Sequence, residues 1–390
     1  MLCFLNSADI MFAMNQLKPN QAILIIAASE GDANLFYATR FLAPDPFIFI
    51  QTSKKKILIA SDLEVDRAKD ESIVDLVLSN SKIAETLKAK NVTPSTLEVT
   101  HHILREHSIK QLLVPANFPI IYADSFRKKG YTIECKRDPF YEERTVKTKD
   151  EIKAITQALR YTEKAIMAAV EILRKSNIRG KYLIHKGKKL RSEDIKQIIN
   201  VKLMESNCIA AHTIISCYND CVDPHNQGSG PLLANQSIIM DVFPHSSETR
   251  YFADITRTFV RGKASAQLKK IYNTVKHGQE IAFDQIRNGA DGSKIHRDIM
   301  NYFESQGFKT GNLAGRMQGF FHGTGHGVGL EIHEPPRISI GKDILKTNQT
   351  VTVEPGLYYL GIGGVRLEDL VVVNATNCTN LTKFPKFLEV

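Results

Sequence analysis

The chain opens, after a short lead, on runs of aliphatic residues set between turn signals. "AILIIAA" (22–28), "PFIFIQT" (46–52) and "KKILIAS" (55–61) are short, β-rich and bounded by polar residues or proline, the signature of strands. "PSTLEVTHHILREHS" (94–108) reads as a helix, "QLLVPA" (111–116) as a strand, and a further helix–strand pair ends at "YTIECK" (131–136). Alternation of this kind predicts a small α/β domain. The stretch 137–151 is polar, holds a proline and has few large aliphatics, so it marks a boundary between domains expected at 1–145 and 146–390.

Beyond that boundary the period changes. Thr148 and Glu151 form a T-x-x-E capping box. They open an amphipathic helix over 151–175, in which Ile152, Ile155, Leu159, Ala165 and Ala169 recur at helical spacing. A second helix is expected over 192–205. The segments 237–243, 248–260, 350–360 and 363–373 are strand-like, the first two close enough to pair as a hairpin and the last two likewise. Helices over about 263–288 and 292–306 lie between the pairs. This half therefore reads as α+β, an antiparallel sheet with helices on one side.

Composition narrows the class without naming it. A chain of 390 residues exceeds one ordinary core, and 43% hydrophobic with 24% charged residues is normal for globular proteins. The net charge is +9, densest in "RGKYLIHKGKKLR" (179–191). Too few aromatics interleave there for base stacking, so a solvated loop is expected and no nucleic-acid partner. The six cysteines form no C-x-x-C pair and read as thiols; Cys217 and Cys221 lack a second pair to complete a zinc site. The N-terminus has no basic region before its short apolar run, and Met11 and Met14 are alternative starts to Met1. No run of about eighteen apolar residues exists, so no membrane span is expected and a cytoplasmic location is the default.

Chemistry concentrates in the strand-like segments of the second half. Asp241 interrupts "SIIMDVF", Asp254 lies in "YFADITRT", Glu354 interrupts "TVTVEPG", and Glu368 lies in "VRLEDLVVV". Each places an ionisable group where a strand should be buried. One such acid is usually a paired core carboxylate; four in one domain are harder to dismiss. Two carboxylates about 4 Å apart repel by about 4 kcal/mol at an effective dielectric near 20. Convergent acids therefore call for cations, and oxygen ligands with one imidazole suit manganese (Mn2+), with Co2+, Zn2+ or Fe2+ as substitutes. The stretch "HGTGHGVGLEIHE" (322–334) can supply the imidazole. Its alternate glycines argue against a helix and let backbone pass close to metal and substrate.

The series "DPHNQGSG", "IIMDVFPHSSETRYFADITRTFVRG", "HGTGHGVGLEIHEPP", "VTVEPGLYY" and "GGVRLEDLVVV" resembles the pita-bread metallopeptidases, among them methionine aminopeptidases, aminopeptidase P and prolidases. The likeness covers about 145–385; "NLFYATRFLAPD" resembles the creatinase/prolidase-type N-terminal domain more weakly. It implies a C-terminal pita-bread domain and a dinuclear site of two divalent ions. Asp241 would hold one metal, Asp254 and Glu368 would bridge both, and His326 and Glu354 would complete the second. His225 and His333 match the histidines that bind substrate and stabilise the tetrahedral intermediate. His322 and Arg366 match the proline-specific branch, although Arg366 could also serve as a counter-charge to the acids. One departure stands out: "DVFP" replaces D-x-G, and Asp241 and Asp254 stand 13 residues apart, two more than is usual, so the turn's part in the cleft is open.

What the resemblance implies is an exopeptidase that hydrolyses Xaa-Pro bonds with a metal-bridging hydroxide. Glu354 would relay the proton, and peptides with proline at the second position would be the partners, bound by a homodimer. Alternatives are an aminopeptidase of other specificity, such as methionine, and a non-catalytic peptide-binding module, which is disfavoured because all five ligand positions are filled.

Overall fold

A computed structural model describes residues 17–390 and divides the chain into two compact units, Met1–Arg144 and Thr145–Val390. The alternative starts and the proposed lead lie outside the described residues.

The first unit is built on a six-stranded mixed sheet. Its order is Leu76–Ser79, Lys56–Ala60, Phe47–Gln51, Gln21–Ala27, Gln111–Pro115 and Thr132–Lys136. The central strand explains its unbroken apolar run. Ala22, Leu24 and Ile26 enter one hydrophobic cluster, while Ile23 and Ile25 enter another on the opposite face. Side chains alternate across a strand, so a strand covered on both sides needs apolar residues at every position. The helix expected over 94–108 is Thr96–Glu106, and the Ser95 side chain accepts from the Glu98 N–H at its start.

The second unit begins with the helix Lys149–Lys175. Its capping box is formed: the Thr148 hydroxyl accepts from the Glu151 N–H at 3.2 Å, and the Glu151 carboxylate accepts from the Thr148 N–H at 2.7 Å. A three-stranded antiparallel sheet joins Ile214–Cys217, Ile238–Val242 and Ile255–Phe259. A five-stranded sheet runs Glu334–Ile338, Gly325–Gly327, Thr350–Val353, Asp369–Val373 and Cys378–Asn380. Gly356–Tyr359 and Gly363–Arg366 pair as a separate antiparallel hairpin. Helices Ala266–Gln285 and Gly292–Ser305 share one core with these strands, through Leu268, Val275, Ile299, Phe303, Val351, Val365 and Val371.

Three expectations need correction. The basic segment is not a loop: Asn177–Arg179, Tyr182–His185 and Lys188–Lys189 form a small antiparallel sheet, turned at Gly180 and Gly187 with φ of 58° and 78°. The ring of Tyr182 carries the Lys189 ammonium 4.0 Å from its centre. The segment 248–260 pairs as a strand only over Ile255–Phe259. Finally, 350–360 and 363–373 are not continuous strands. The first breaks at Glu354 and Pro355, the second at Leu367 and Glu368. At each break a backbone N–H leaves the ladder for a distant acceptor: Glu354 donates to the Thr324 carbonyl at 2.7 Å, and Glu368 to that of Thr256 at 3.0 Å.

Candidate metal centre

Register brings the acids together. Asp241 is paired directly across the sheet with Thr256, so both side chains share a face. Asp254 stands two residues before Thr256, on the same side of that segment. Thr256 is the hub: its hydroxyl donates to Glu368 Oε2 at 2.8 Å and accepts from Arg366 Nε at 3.3 Å. The breaks at Glu354 and Glu368 turn those two carboxylates into the same space. Asp241, Asp254, Glu354 and Glu368 line one cavity of about 640 Å³, together with His225, His322, His326, His333 and Arg366. All nine residues singled out in the sequence thus meet in one cleft. His245, His277 and His296, read as ordinary histidines, are not among its lining residues.

The glycines of "HGTGHGVGL" make room for neighbouring strands, and Gly323 and Gly325 also line the cleft. A Cβ on Gly325 would lie 1.9 Å from the Thr352 carbonyl oxygen, and one on Gly327 would lie 2.4 Å from that of Pro335. Between them sits His326, buried, with its N–H on Thr352 Oγ1 at 3.1 Å. Its Nδ1 lies 3.1 Å from the Gly327 carbonyl, which can only accept, so Nδ1 carries the proton. In the neutral ring the lone pair is then on Nε2, 3.2 Å from Glu354 Oε1 and 3.7 Å from Asp254 Oδ2; in the protonated ring Nε2–H donates to Glu354 instead.

Such an arrangement is short of positive charge. Of the four acids only Asp241 is paired with an arginine or lysine, Arg366, at 2.6 Å. Asp254 Oδ1 and Glu368 Oε1 are buried with no hydrogen-bond partner. Burial, then the neighbouring acids, pushes both carboxyls well above the usual carboxylate range. Burial also raises Asp241, against the pull of Arg366. Glu354 goes the other way: burial would raise it, but His326, His322 and Arg366 outweigh that and hold it at about 2. One ligand atom each from Asp254, His326 and Glu368 lie within 4.8 Å of one another. Orphaned carboxylate oxygens facing an imidazole lone pair form a donor set that fits a divalent cation.

Tyr358, Thr256 and Arg257, which the sequence did not single out, hold this set in place together with Arg366 and His322. Arg366 spends all five donors on the protein: Asp241, Tyr358 Oη at 3.0 Å, Thr256, and the Pro224 carbonyl from both terminal nitrogens at 3.3 Å. It is thereby a counter-charge to Asp241 with no donor left for substrate. Tyr358 hydrogen-bonds His322 Nε2 at 2.8 Å, and His322 Nδ1 lies 2.8 Å from the Gly323 carbonyl. Both ring nitrogens of His322 are therefore engaged, and burial brings its pKa down to about 4. Arg257, fully buried, donates to the Glu368 carbonyl at 2.6 Å.

His225 and His333 occupy the open side of the cleft, and both are exposed. His333 meets His326 edge to face, ring centres 4.4 Å apart. Partial burial and the neighbouring His326 bring its pKa down to about 4, so it is neutral at pH 7. Phe243, Phe321, Ile214 and Ile332 give the cavity apolar walls. Phe243 belongs to the long turn after Asp241, which answers the question that turn raised: it is ordered, its His245–Ser246 paired with Cys208–Ile209, and it reaches the cleft.

The profile of metallopeptidase family M24 matches residues 153–375, more than half of the chain and every acid of the cluster. The chain belongs to metallopeptidase family M24. This M24 chain is 29% identical over 335 residues to the Xaa-Pro dipeptidase of Pyrococcus horikoshii, covering 85% of each sequence. It is 31% identical over 263 residues to the Xaa-Pro dipeptidase of Pyrococcus furiosus, covering 67% of this chain and 70% of the other. The solved structure of an Xaa-Pro dipeptidase from Bacillus anthracis matches with a TM-score of 0.81 at 22% identity, covering 99% of this chain and 100% of that one. The fold is accordingly prolidase-like, an N-terminal α/β domain and a C-terminal pita-bread domain. Among the described residues no helix is long and apolar enough to cross a membrane.

Proposed function

We propose that this M24 chain is a dinuclear-metal-dependent exopeptidase that hydrolyses Xaa-Pro bonds. The observation that carries the reading is the cluster of Asp241, Asp254, Glu354 and Glu368 around His326, two of its buried carboxylate oxygens unpartnered, in a chain similar to two Xaa-Pro dipeptidases. These five residues would hold two divalent ions, manganese foremost because oxygen donors outnumber nitrogen. Bound there, the ions supply Lewis acidity and lower the pKa of water at the site.

The chain's own residues do the rest. Glu354, held ionised, accepts the proton of the attacking water and passes it toward the leaving amine. His333, neutral at pH 7, donates an N–H to the oxygen that gains charge as the carbonyl becomes tetrahedral, and His225 acts beside it. Arg366 fixes Asp241, which marks the end of the cleft for the substrate's free amine. His322, with both nitrogens engaged, offers a ring face as a wall. Phe243, Phe321 and Ile332 suit the apolar pyrrolidine of proline, whose nitrogen carries no N–H to satisfy.

The test is a panel of Xaa-Pro dipeptides, Xaa-Pro-Yaa tripeptides and Met-Ala-Ser peptides with the manganese-loaded protein. Cleavage confined to the Xaa-Pro series is expected, and cleavage of the Met series alone would reverse the specificity. Light scattering on the same sample tests the homodimer.

A further inference from the structure

The cleft does not use one buried ion pair that lies directly behind it. Lys147 Nζ is paired with Glu334 Oε1, and the two side chains are 1% and 2% exposed. Glu334 is the residue after His333 and the first of the strand Glu334–Ile338. Glu334 is buried, while His333, in the bend just before that strand, stands in the cleft.

We propose that the Lys147–Glu334 pair is a positioning device for His333; this rests on the reading of His333 as a substrate-contacting residue. Glu334 closes the turn that begins at His326. It pairs across the ladder with Gly327, and its carboxylate packs on Gly329, where a Cβ would lie 2.4 Å from Oε1. Gly329 is fixed in turn: its carbonyl accepts from the Phe252 N–H at 2.8 Å. The loop that carries His333 is thus pinned on its buried side at both ends. Its anchor comes from far away in sequence. The Lys147 N–H donates to the Asn348 carbonyl at 2.8 Å, and its ammonium also reaches the Thr145 carbonyl at 3.3 Å. One turn further on, Glu151 accepts a hydrogen bond from Tyr251, three residues before Asp254. The segment leading into the Lys149–Lys175 helix therefore holds two of the cleft's segments from behind.

A buried pair such as this is weak as a source of stability, since two apolar residues would serve the core as well. It is strong as a locator, because a buried charge cannot leave its partners without a large desolvation cost. Loss of the charge at Glu334 lets the His333 end of the turn relax, and a displacement of about 1 Å there costs up to about 100-fold in rate.

The experiment is a double-mutant cycle on the manganese-loaded full chain with an Xaa-Pro substrate: wild type, Glu334→Gln, His333→Ala and the double variant. Melting temperature and metal content are measured alongside. Glu334→Gln should lower kcat about 10- to 100-fold with KM within about threefold and metal content unchanged. In the His333→Ala background the same change should have no further effect on kcat. Losses that multiply in the double variant, or a wild-type kcat for Glu334→Gln, overturn the proposal. Should Glu334→Gln fail to fold, Glu334→Asp keeps the charge, shortens the reach by one methylene, and is read by the same cycle. A wild-type chain that cleaves no Xaa-Pro peptide sinks the peptidase reading itself; an active wild type indifferent to Glu334 sinks only the positioning role.

Discussion

Glu368 and Asp369 are neighbours in sequence and both are buried, yet they live in opposite electrostatic worlds. Asp369 meets Arg257 at 2.8 Å, Lys386 at 2.6 Å and the Asn380 amide at 2.8 Å. Burial would raise its pKa, but the two cations outweigh it and the carboxyl is held below its ordinary value. Glu368, facing the other way, has one hydroxyl on Oε2 and nothing on Oε1, and three acids share its cavity. One carboxylate is finished by the protein and the other is left incomplete. Burial alone does not separate a structural acid from a functional one; the balance of charge around it does.

The contrast is sharpest in activity. Glu368→Gln should lower Xaa-Pro hydrolysis on the order of 10³-fold or more, since Lewis-acid stabilisation is worth several kcal/mol and each tenfold is about 1.4 kcal/mol. Asp369→Asn should leave kcat per folded molecule within about threefold. Steady-state kinetics on both variants checks this, and equal losses would erase the distinction.

In stability the order reverses. Asp369→Asn leaves Arg257 buried and short of its partner, and should destabilise the fold by about 3 kcal/mol. Metal-free Glu368→Gln should be as stable as metal-free wild type or more so, because it removes a carboxyl that has to take up a proton to be buried. Urea melts of the metal-free proteins decide; a Glu368→Gln variant weaker than Asp369→Asn would contradict the comparison.

The smallest effect is a slope. In metal-free protein Asp254 and Glu368 keep protons that the unfolded chain releases near pH 4. The folded state then binds more protons than the unfolded one, so stability falls as pH rises from about 4. It falls by at most about 1.4 kcal/mol per pH unit for each proton retained. Asp369 has the opposite sign: its contribution is present above pH 4 and is lost below it. Bound ions, or Glu368→Gln, should flatten the upper slope. Melting temperatures between pH 4 and 8, with and without manganese, test it, and a flat metal-free profile would count against unpartnered acids.

Much of this was open to reading in the chain itself. Asp241, Asp254, Glu354 and Glu368 betray themselves as charges inside apolar strands, and Thr148 with Glu151 announces the helix start. The strand breaks at Glu354 and Glu368 could not be foreseen, because they depend on acceptors at Thr324 and Thr256 that become neighbours only in the fold. Tyr358 and Thr256 look like ordinary strand residues until Arg366 is placed between them. Lys147 was hidden by its company. The polar composition of 137–151 reads as a domain boundary, but at Lys147 and Glu151 the polarity belongs to buried partners, Glu334 and Tyr251.

The two backbone bonds at those breaks carry a further consequence. Because the amides of Glu354 and Glu368 are each tied to another segment of the cleft, the backbone that carries the two carboxylates is fixed and only side-chain rotation can part them. Ion uptake should accordingly need little movement of the main chain. Those two amides are also natural spectators. In hydrogen–deuterium exchange they should be protected with the slow core of the sheet rather than with the cleft's open rim, and their exchange would report when the cluster itself comes apart.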